Sequence, residues 1–410
     1  MATNLRASLR GSNGGVGQKQ VKKLVIKSTL EAPKAPEDFF QHTWQKLQEA
    51  VQSIHELKPV NYSLEELYGG VEGLCTHNYS LQVYDNLEAQ LRTHLMSVLA
   101  ELQESTSSRD DLGFLNAFNA VWKAHCEQMQ LIRSIFLTLD RQIAAEASAT
   151  KPIWEMSMSL FRTLIAEVDI IARRTKRGLL TAIESDRNDE VVDRSLIKSL
   201  CRMFISLGIY HDVFEPLFLQ ATEAYYANES SRLTQEMPLA QYLIHIERRF
   251  AFEEHTIGLY LASSSVPKLL KTLYDICISR QLASFIISKG LDELLDQDKH
   301  EDLKRVFAIV SLVDSQKPLR MAWNQYIKRR GSELVNDRSK DKTMIEELLT
   351  FRARLDSILT TCFAHNPDFL YSLKEGFEGA VNSRINTPSE MLAKFVDRHL
   401  QAGNRAATPD

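Results

Sequence analysis

The chain has few residues that interrupt regular secondary structure, with 16 glycines and 11 prolines among 410 residues. So few interruptions over this length favour long helices over the many turns of an all-β protein. The chain also lacks an apolar run of 18 residues and an apolar N-terminal stretch. The sequence therefore predicts neither a membrane span nor a secretory signal, and we expect an intracellular protein.

A strong charge bias and closely spaced cysteines are also lacking. The formal net charge is −4, from 49 basic and 53 acidic residues, which gives no reason to expect direct binding of nucleic acid or of a membrane. The five cysteines are dispersed, so none forms a Cys-x-x-Cys zinc pair, and we expect no disulfide, metal or other cofactor. Dispersed cysteines are typical of buried thiols in a reducing compartment. They are Cys75, Cys126, Cys201, Cys277 and Cys362.

No catalytic motif of the nucleotide-binding, zinc-protease or serine-hydrolase type occurs in the sequence. His245, Glu254 and His255 form a weak candidate metal site. The other charged residues nearby favour a solvated helix face instead; they are Arg248, Arg249 and Glu253. The densest basic run, Arg173 to Arg177, has no interleaved aromatic residues. A solvated face near a helix end is therefore favoured over nuclear import or phosphate contact.

Residues 1–36 differ in composition from the rest of the chain. Four glycines between residues 11 and 17 lie among Ser, Asn and Gln, a composition that predicts no stable fold. Within this N-terminal arm, residues 21–27 form a short β-prone run flanked by lysines, with Leu24, Val25 and Ile26 at its centre. The run is either an idle tail or a peptide that docks on a partner.

From Asp38 onward, apolar residues recur with the 3.6-residue period of an amphipathic helix. Ser63 and Glu66 have capping-box spacing, and Thr387 followed by Pro388 marks a helix start. The pattern predicts an all-α bundle or stacked α-solenoid without β-sheet, with breaks near residues 150 and 265. The clearest stripes are Leu64, Leu67, Tyr68, Val71, Leu74 and Cys75; Ile132, Ile135, Phe136 and Leu139; and Leu160, Leu164, Val168 and Ile171.

Several stretches resemble the cullin family in order and spacing, and together they cover most of the chain after the first twenty residues. The central family pattern is matched by Tyr210, Phe214-Glu215, Phe218-Leu219, Thr222, Tyr225-Tyr226 and Glu229-Ser230. Similarity to the cullin-4 branch is carried by KKLVIK at residues 22–27, LEELY at 64–68, IRSIFL at 132–137 and IWEM at 153–156.

The resemblance implies three stacked five-helix cullin repeats in an elongated, curved stalk. They would occupy residues 37–150, 151–264 and 265–385, with residues 386–410 starting the family's C-terminal half. The resemblance also implies a non-catalytic scaffold of a cullin–RING E3 ubiquitin ligase, found in nucleus and cytoplasm. In the cullin-4 branch the first repeat binds a triple-β-propeller damage-specific DNA-binding adaptor, which carries WD40 substrate receptors. The RING-box subunit is expected only on a full-length chain, so we expect these 410 residues alone to deliver no ubiquitin.

In the family, the second and fifth helices of the first repeat grip the adaptor. Because the apolar stripes should pack inside the bundle, we expect the contacting residues on the opposite faces. We also expect Leu24, Val25 and Ile26 of the arm to dock on the same propeller. The expected helix contacts are Tyr62, Leu64, Glu65, Tyr68, Gly69 and Glu72 on the second helix, and Leu131, Ile135, Thr138, Arg141 and Gln142 on the fifth.

Two stretches depart from the family pattern. Gly69, Gly70 and Gly73 stand where relatives carry side chains, and each costs roughly 1 kcal/mol relative to alanine inside a helix. Such a helix gains order from its partner or lets another backbone come close. After Arg141 the chain has Gln142 and two alanines in place of bulky apolar residues, which shrinks the expected contact.

Two other classes of protein stay open on the sequence alone. One is an unrelated α-solenoid interaction protein, which need not bind a propeller. The other is an enzyme, which would need a deep polar pocket with perturbed titratable groups.

Overall fold

The computed structural model describes residues 38–107, 109–145, 150–313, 316–384 and 387–406. Every regular element within these ranges is a helix, and none is a strand, which confirms the all-α prediction. The arm of residues 1–36 lies outside the described residues. The α-helices are α1 Phe39–His55, α2 Leu64–Thr76, α3 Ser80–Ser105, α4 Asp111–Ile135, α5 Leu137–Ala145, α6 Ile153–Glu167, α7 Asp169–Arg187, α8 Arg194–Ser206, α9 Glu215–Glu236, α10 Leu239–His255, α11 Val266–Tyr274, α12 Asp292–Asp296, α13 His300–Leu312, α14 Gln316–Asn336, α15 Met344–Thr361, α16 Pro367–Val381 and α17 Thr387–Ala406.

Side-chain caps fix where several helices begin. The Ser63 hydroxyl accepts a hydrogen bond from the backbone N–H of Glu66 at 3.1 Å and so caps α2. The Asp110 carboxylate accepts the N–H of Gly113 at 2.9 Å and caps α4. These oxygens satisfy N–H groups that have no partner inside the helix, so they set the start of both helices near the candidate site.

Most of the buried apolar side chains form one connected core that runs from Leu47 to Leu373, and a smaller separate cluster consists of Val335, Met344, Ile345 and Leu348. Most residues of the sequence stripes lie in the connected core, and Leu67, Val71 and Leu74 of α2 are all buried. Leu64 at the start of the same stripe is exposed, however, and Tyr68 is half-buried. The stripes centred on α4 and α6 are buried as well, apart from the half-buried Val168. A core continuous along stacked helices is typical of a solenoid.

Five α-helices lie between residues 39 and 145, and another five between residues 153 and 255. The following stretch of helix, residues 266–296, is interrupted by π-helical turns at Asp275–Ser279 and Leu282–Leu291. Further π-helical geometry occurs at Tyr210–Phe214, directly before α9. The division into three repeats with boundaries near residues 150 and 265 stays a prediction.

One contact ties the first helices to α7. The Arg174 guanidinium donates to the backbone carbonyls of Thr106 and Arg109 at 3.0 Å each, and to that of Asp110 at 3.3 Å. It also lies 4.3 Å from the centre of the Phe114 ring. Arg174 therefore holds the α3–α4 connection against α7, and the basic run is not simply the solvated face that the sequence favoured.

Helices α14 and α16 run parallel and pack closely. Arg320 pairs with Asp368 at 3.2 Å near their first turns, and the Asn324 amide donates to the Ser372 carbonyl at 2.9 Å one turn later. A Cβ atom at Gly376 would lie only 3.1 Å from the Asn324 carbonyl oxygen. The glycine thus permits an approach of the two backbones that a larger residue would prevent.

Candidate functional site

The segment from the end of α4 through α5 runs beside α2 in the same direction. The Gln128 amide donates to the carbonyl of His55, which lies shortly before α2, at 3.2 Å. Ser80, which follows α2, donates to the Gln142 side-chain oxygen at 2.9 Å. Both α4 and α5 contact α2. The two helical segments that were expected to grip an adaptor therefore lie side by side.

Helix α2 is also fixed against α1, which runs antiparallel to it. Lys46 pairs with Glu66 at 2.8 Å, and the Tyr62 hydroxyl donates to the Glu49 carboxylate at 2.8 Å. The Tyr62 contact raises the pKa of that phenol, chiefly through its hydrogen bond to the carboxylate. Tyr62 is therefore held in one orientation by the protein itself.

Most of the expected helix contacts have accessible side chains. Leu64 and Leu131 are more than half exposed, at 56% and 57%, although both are apolar. Glu65, Gly69, Glu72 and Arg141 are exposed, and Tyr62, Tyr68, Thr138 and Gln142 are half-buried. Leu24, Val25 and Ile26 lie outside the described residues. We call the exposed faces of α2, the last turns of α4, and α5 the α2–α5 surface.

Ile135 is not part of this surface, because it is only 3% exposed. The sequence interpretation treated Leu131 to Gln142 as one helix, whereas α4 ends at Ile135 and α5 begins at Leu137. Ile135 and Phe136 are both buried, and they follow the buried Ile132 by three and four residues, which places all three on one helix face. Ile135 therefore belongs to the apolar stripe alone and not to the contact set.

The three glycines of α2 occupy different environments. A Cβ atom at Gly70 would lie 3.1 Å from Cγ2 of Thr43, and one at Gly73 would lie 3.2 Å from Cζ of Phe39. Gly70 and Gly73 therefore allow α1 to pack closely on α2. A Cβ atom at Gly69 would meet nothing within 4 Å. Only this glycine leaves backbone open on the α2–α5 surface.

An ion pair joins the end of α4 to α5 and α6. The Arg133 Nε donates to Asp140 at 2.8 Å, and the other oxygen of Asp140 accepts the backbone N–H of Ile153 at 2.8 Å. Asp140 is 4% exposed, so its carboxylate joins the end of α4 to the start of α6 from inside the protein. The sequence showed no pattern that assigns this role to Arg133 or Asp140.

The residues around the weak candidate metal site do not form the solvated helix face that the sequence favoured. Glu253, which was expected on a solvated face, is fully buried and forms a two-pronged ion pair with Arg187. His245 and Arg249 both approach Glu229, at 3.2 and 2.7 Å, rather than Glu254 or His255. No cluster of metal-ligating side chains suited to a metal ion is found in the part of the chain that the structure describes.

Three histidines are packed together in α1, α3 and α4. The rings of His55 and His94 stack with centres 3.8 Å apart, and His125 lies 5.0 Å from the ring of Phe161 in α6. Burial, with the nearby histidines, lowers the pKa of His55 to about 3. Burial likewise lowers the pKa of His125 to about 4, and that of His94 falls for the same reason. Near neutral pH the rings of His55 and His125 are therefore uncharged parts of the core, and His94 stacks on His55 from a half-buried position.

Four of the five cysteines are buried and the fifth, Cys126, is half-buried, and none forms a disulfide. Burial raises the pKa of Cys126 to about 11 and that of Cys201 to about 12. Such thiols carry almost no reactive thiolate. None of the described helices combines the length and apolar character needed to cross a bilayer.

Helices stacked along one core, with an exposed face on α2 and the α4–α5 segment, define an α-solenoid. A family model described as the cullin alpha solenoid domain matches residues 44–410, and the chain belongs to the cullin family. It is 39% identical to human Cullin-4A over 402 residues, which is 97% of this chain and 52% of that protein. Cullin-4 of Dictyostelium discoideum is 34% identical over 96% of this chain and 49% of its own length.

Cullin-3 of Dictyostelium discoideum is 29% identical over 96% of this chain and 51% of its own length. These identities confirm the predicted family and its similarity to the cullin-4 branch. They also exclude the unrelated solenoid that the sequence left open. The chain spans about half the length of the curated relatives it matches.

Proposed function

We propose that this chain is the adaptor-binding arm of a cullin–RING E3 ubiquitin ligase and acts as a scaffold without catalysis of its own. Membership of the cullin family supports this role. The observation that carries the proposal is the α2–α5 surface, where Leu64 and Leu131 expose apolar side chains and Tyr68, one turn after Leu64, is half-buried. Two large exposed aliphatic groups with an aromatic one on the same surface are typical of the centre of a protein–protein interface.

The proposed adaptor is the triple-β-propeller damage-specific DNA-binding protein, which would bring WD40 substrate receptors. Glu65, Glu72 and Arg141 border the apolar centre and would form a polar rim. The open backbone at Gly69 would let an adaptor loop come closer than any side chain allows. Binding of the RING-box subunit and ubiquitin transfer would belong to the half of a cullin that follows this solenoid.

Calorimetry with the purified propeller adaptor tests the proposal. Leu64→Asp should weaken binding about tenfold to a hundredfold, because it places a charge at the apolar centre and removes burial of about 1–3 kcal/mol. Leu64 is exposed and lies at the first position of α2, where an acidic residue is favourable, so the fold should not change. Leu259→Asp is the matched control, since Leu259 is 64% exposed but far along the chain from α2.

Equal affinities for Leu64→Asp and the wild type would remove the α2–α5 surface from the proposal. Binding to bric-a-brac-type adaptors or to elongin instead of the propeller would contradict the adaptor assignment. We expect the complex in nucleus and cytoplasm.

The arm centred on Leu24, Val25 and Ile26 is the second part of the proposal. Burying two or three aliphatic side chains on the propeller would contribute roughly 3–6 kcal/mol. Ordering the two or three residues that carry these side chains would offset much of this, at about 1–2 kcal/mol each. Deletion of residues 1–30 should therefore weaken adaptor binding about tenfold to a hundredfold and leave the melting temperature unchanged. An unchanged affinity would show that the arm is an idle tail.

A further inference from the structure

A shallow cup lies beside the α2–α5 surface, where α4, α5 and α6 meet. Its volume is about 530 Å³, and it is open to solvent on one side. It is lined by Gln130, Arg133, Ser134, Leu137 and Trp154. Ser134 and Leu137 come from the same α4–α5 segment that carries Leu131 and Thr138, so the cup continues the α2–α5 surface towards α6.

Among the described residues that line the cup, Arg133 alone is charged. Its Nε bonds to Asp140, but its terminal nitrogens hold no hydrogen bond to any described residue, and half of the side chain is exposed. Asp140 balances the charge from a buried position and does not line the cup. The charge that an incoming group would meet is therefore positive.

The apolar part of the cup consists of Leu137 and Trp154, both half-buried. Tryptophan and arginine are the residues in which interface binding energy is most often concentrated, and they do so in concave, desolvated positions. The N–H of Ile153, next to Trp154, is fixed by Asp140, which anchors the start of α6 against α5. The wall that carries Trp154 is thus rigidly placed before a partner arrives.

We infer that this cup receives an acidic side chain, next to an apolar one, from the adaptor bound at the α2–α5 surface. The carboxylate would pair with the terminal nitrogens of Arg133, and the apolar group would lie against Trp154 and Leu137. The inference rests on the proposed function and adds a second contact, on α6, to the adaptor interface. It predicts which charge the adaptor presents there.

Opposite charges at one position test the inference by the sign of their effects. Ser134 is exposed, and its hydroxyl donates only to the Leu131 carbonyl of its own helix at 2.6 Å, so either charge can be introduced without disturbing the core. Ser134→Asp should weaken binding of the purified propeller adaptor about threefold to fivefold, and Ser134→Lys should strengthen it by a similar factor. Both effects should shrink in about 0.5 M salt, where charges are screened over a few ångströms.

Ser311 of α13 supplies the matched control, because it is also an exposed helical serine that donates to a carbonyl one turn back, at 2.7 Å. Ser311→Asp and Ser311→Lys should leave adaptor affinity unchanged. Trp154→Phe should lower the affinity less than Trp154→Ala. Trp44→Ala, which changes another half-buried tryptophan that lines a separate groove between α1 and α3, should have no effect.

These outcomes distinguish a failure of the inference about the cup from a failure of the proposed function. Opposite effects of the two Ser134 variants support an acidic occupant. If both variants bind like the wild type, or both weaken binding equally, the acidic occupant is refuted while the adaptor assignment stands. If the wild-type chain does not bind the adaptor at all, the proposed function fails and the inference about the cup fails with it.

Discussion

The buried ion pair between α7 and α10 should respond unequally to loss of its two partners. Arg187 Nε and Nη2 donate to the two oxygens of Glu253 at 2.6 and 3.0 Å, and the Tyr226 hydroxyl donates to the same carboxylate at 2.6 Å. Arg187 is 2% exposed and Glu253 is fully buried. Removal of either partner therefore leaves a charge without water or a counterion.

The two single substitutions differ because the remaining groups differ in how easily they become neutral. In Arg187→Met, the lone carboxyl can take up a proton. This costs about 1.4 kcal/mol per pH unit above the ordinary carboxyl value of about 4.3, hence about 4 kcal/mol at pH 7. In Glu253→Gln, the guanidinium stays charged at any accessible pH, and the loss should be about 3–5 kcal/mol or more. The first penalty should shrink as the pH falls, and the second should not.

Urea unfolding between about pH 5 and pH 7 measures both penalties as changes in the free energy of unfolding. The double variant Arg187→Met, Glu253→Gln should recover part of the loss, because Gln can still accept from Tyr226 and no charge stays buried. If the Arg187→Met penalty does not depend on pH, or the double variant is as unstable as the sum of the single ones, the reasoning is wrong.

Three further changes should have measurable effects. Because burial holds the pKa of His55 at about 3 and that of His125 at about 4, the unfolded chain binds more protons below pH 6.5. About 3 kcal/mol of stability should thus be lost between about pH 7.5 and pH 5.5; an unchanged pH slope in the His55→Gln, His125→Gln variant would contradict this. Gly376→Leu should lower the free energy of unfolding by about 2–3 kcal/mol through overpacking against α14, and an unchanged urea midpoint would show looser packing there. Gly69→Ala should raise the free energy of unfolding by up to about 1 kcal/mol, whereas Gly70→Ala should not, because only the second added methyl group would meet Thr43. Equal gains at both positions would contradict the close packing of α1 on Gly70.

The helices followed from the sequence because amphipathic periodicity is a local property. Leu67, Val71 and Leu74 occupy the core face that their spacing predicted, and Ser63 caps α2 as its spacing with Glu66 indicated. The family and its cullin-4 resemblance could be read from motifs for the same reason.

Properties that depend on contacts between distant segments could not be read in this way. The spacing of Ile135 assigned it both to the apolar stripe of α4 and to the contact face, and only its burial in the structure excludes it from the exposed surface. The sequence showed that the glycines of α2 stand where relatives carry side chains, but only the position of α1 shows that Gly70 faces Thr43. Likewise, Glu253 looked solvated because its partner Arg187 lies 66 residues earlier in the chain.

The contacts of Arg174 have a consequence for how this chain can vary. Three of the groups that accept from its guanidinium are the main-chain carbonyls of residues 106, 109 and 110, and every amino acid carries such a carbonyl. The fourth is the Asp111 carboxylate in the first turn of α4, at 3.5 Å. The side chains of the first three residues can therefore change without loss of the contact between the α3–α4 connection and Arg174 of α7, provided the backbone keeps the same course. Arg174 itself has no such freedom, since lysine cannot present several donors in one plane. In related sequences we expect the side chains at positions 106, 109 and 110 to vary and the arginine at position 174 to be retained.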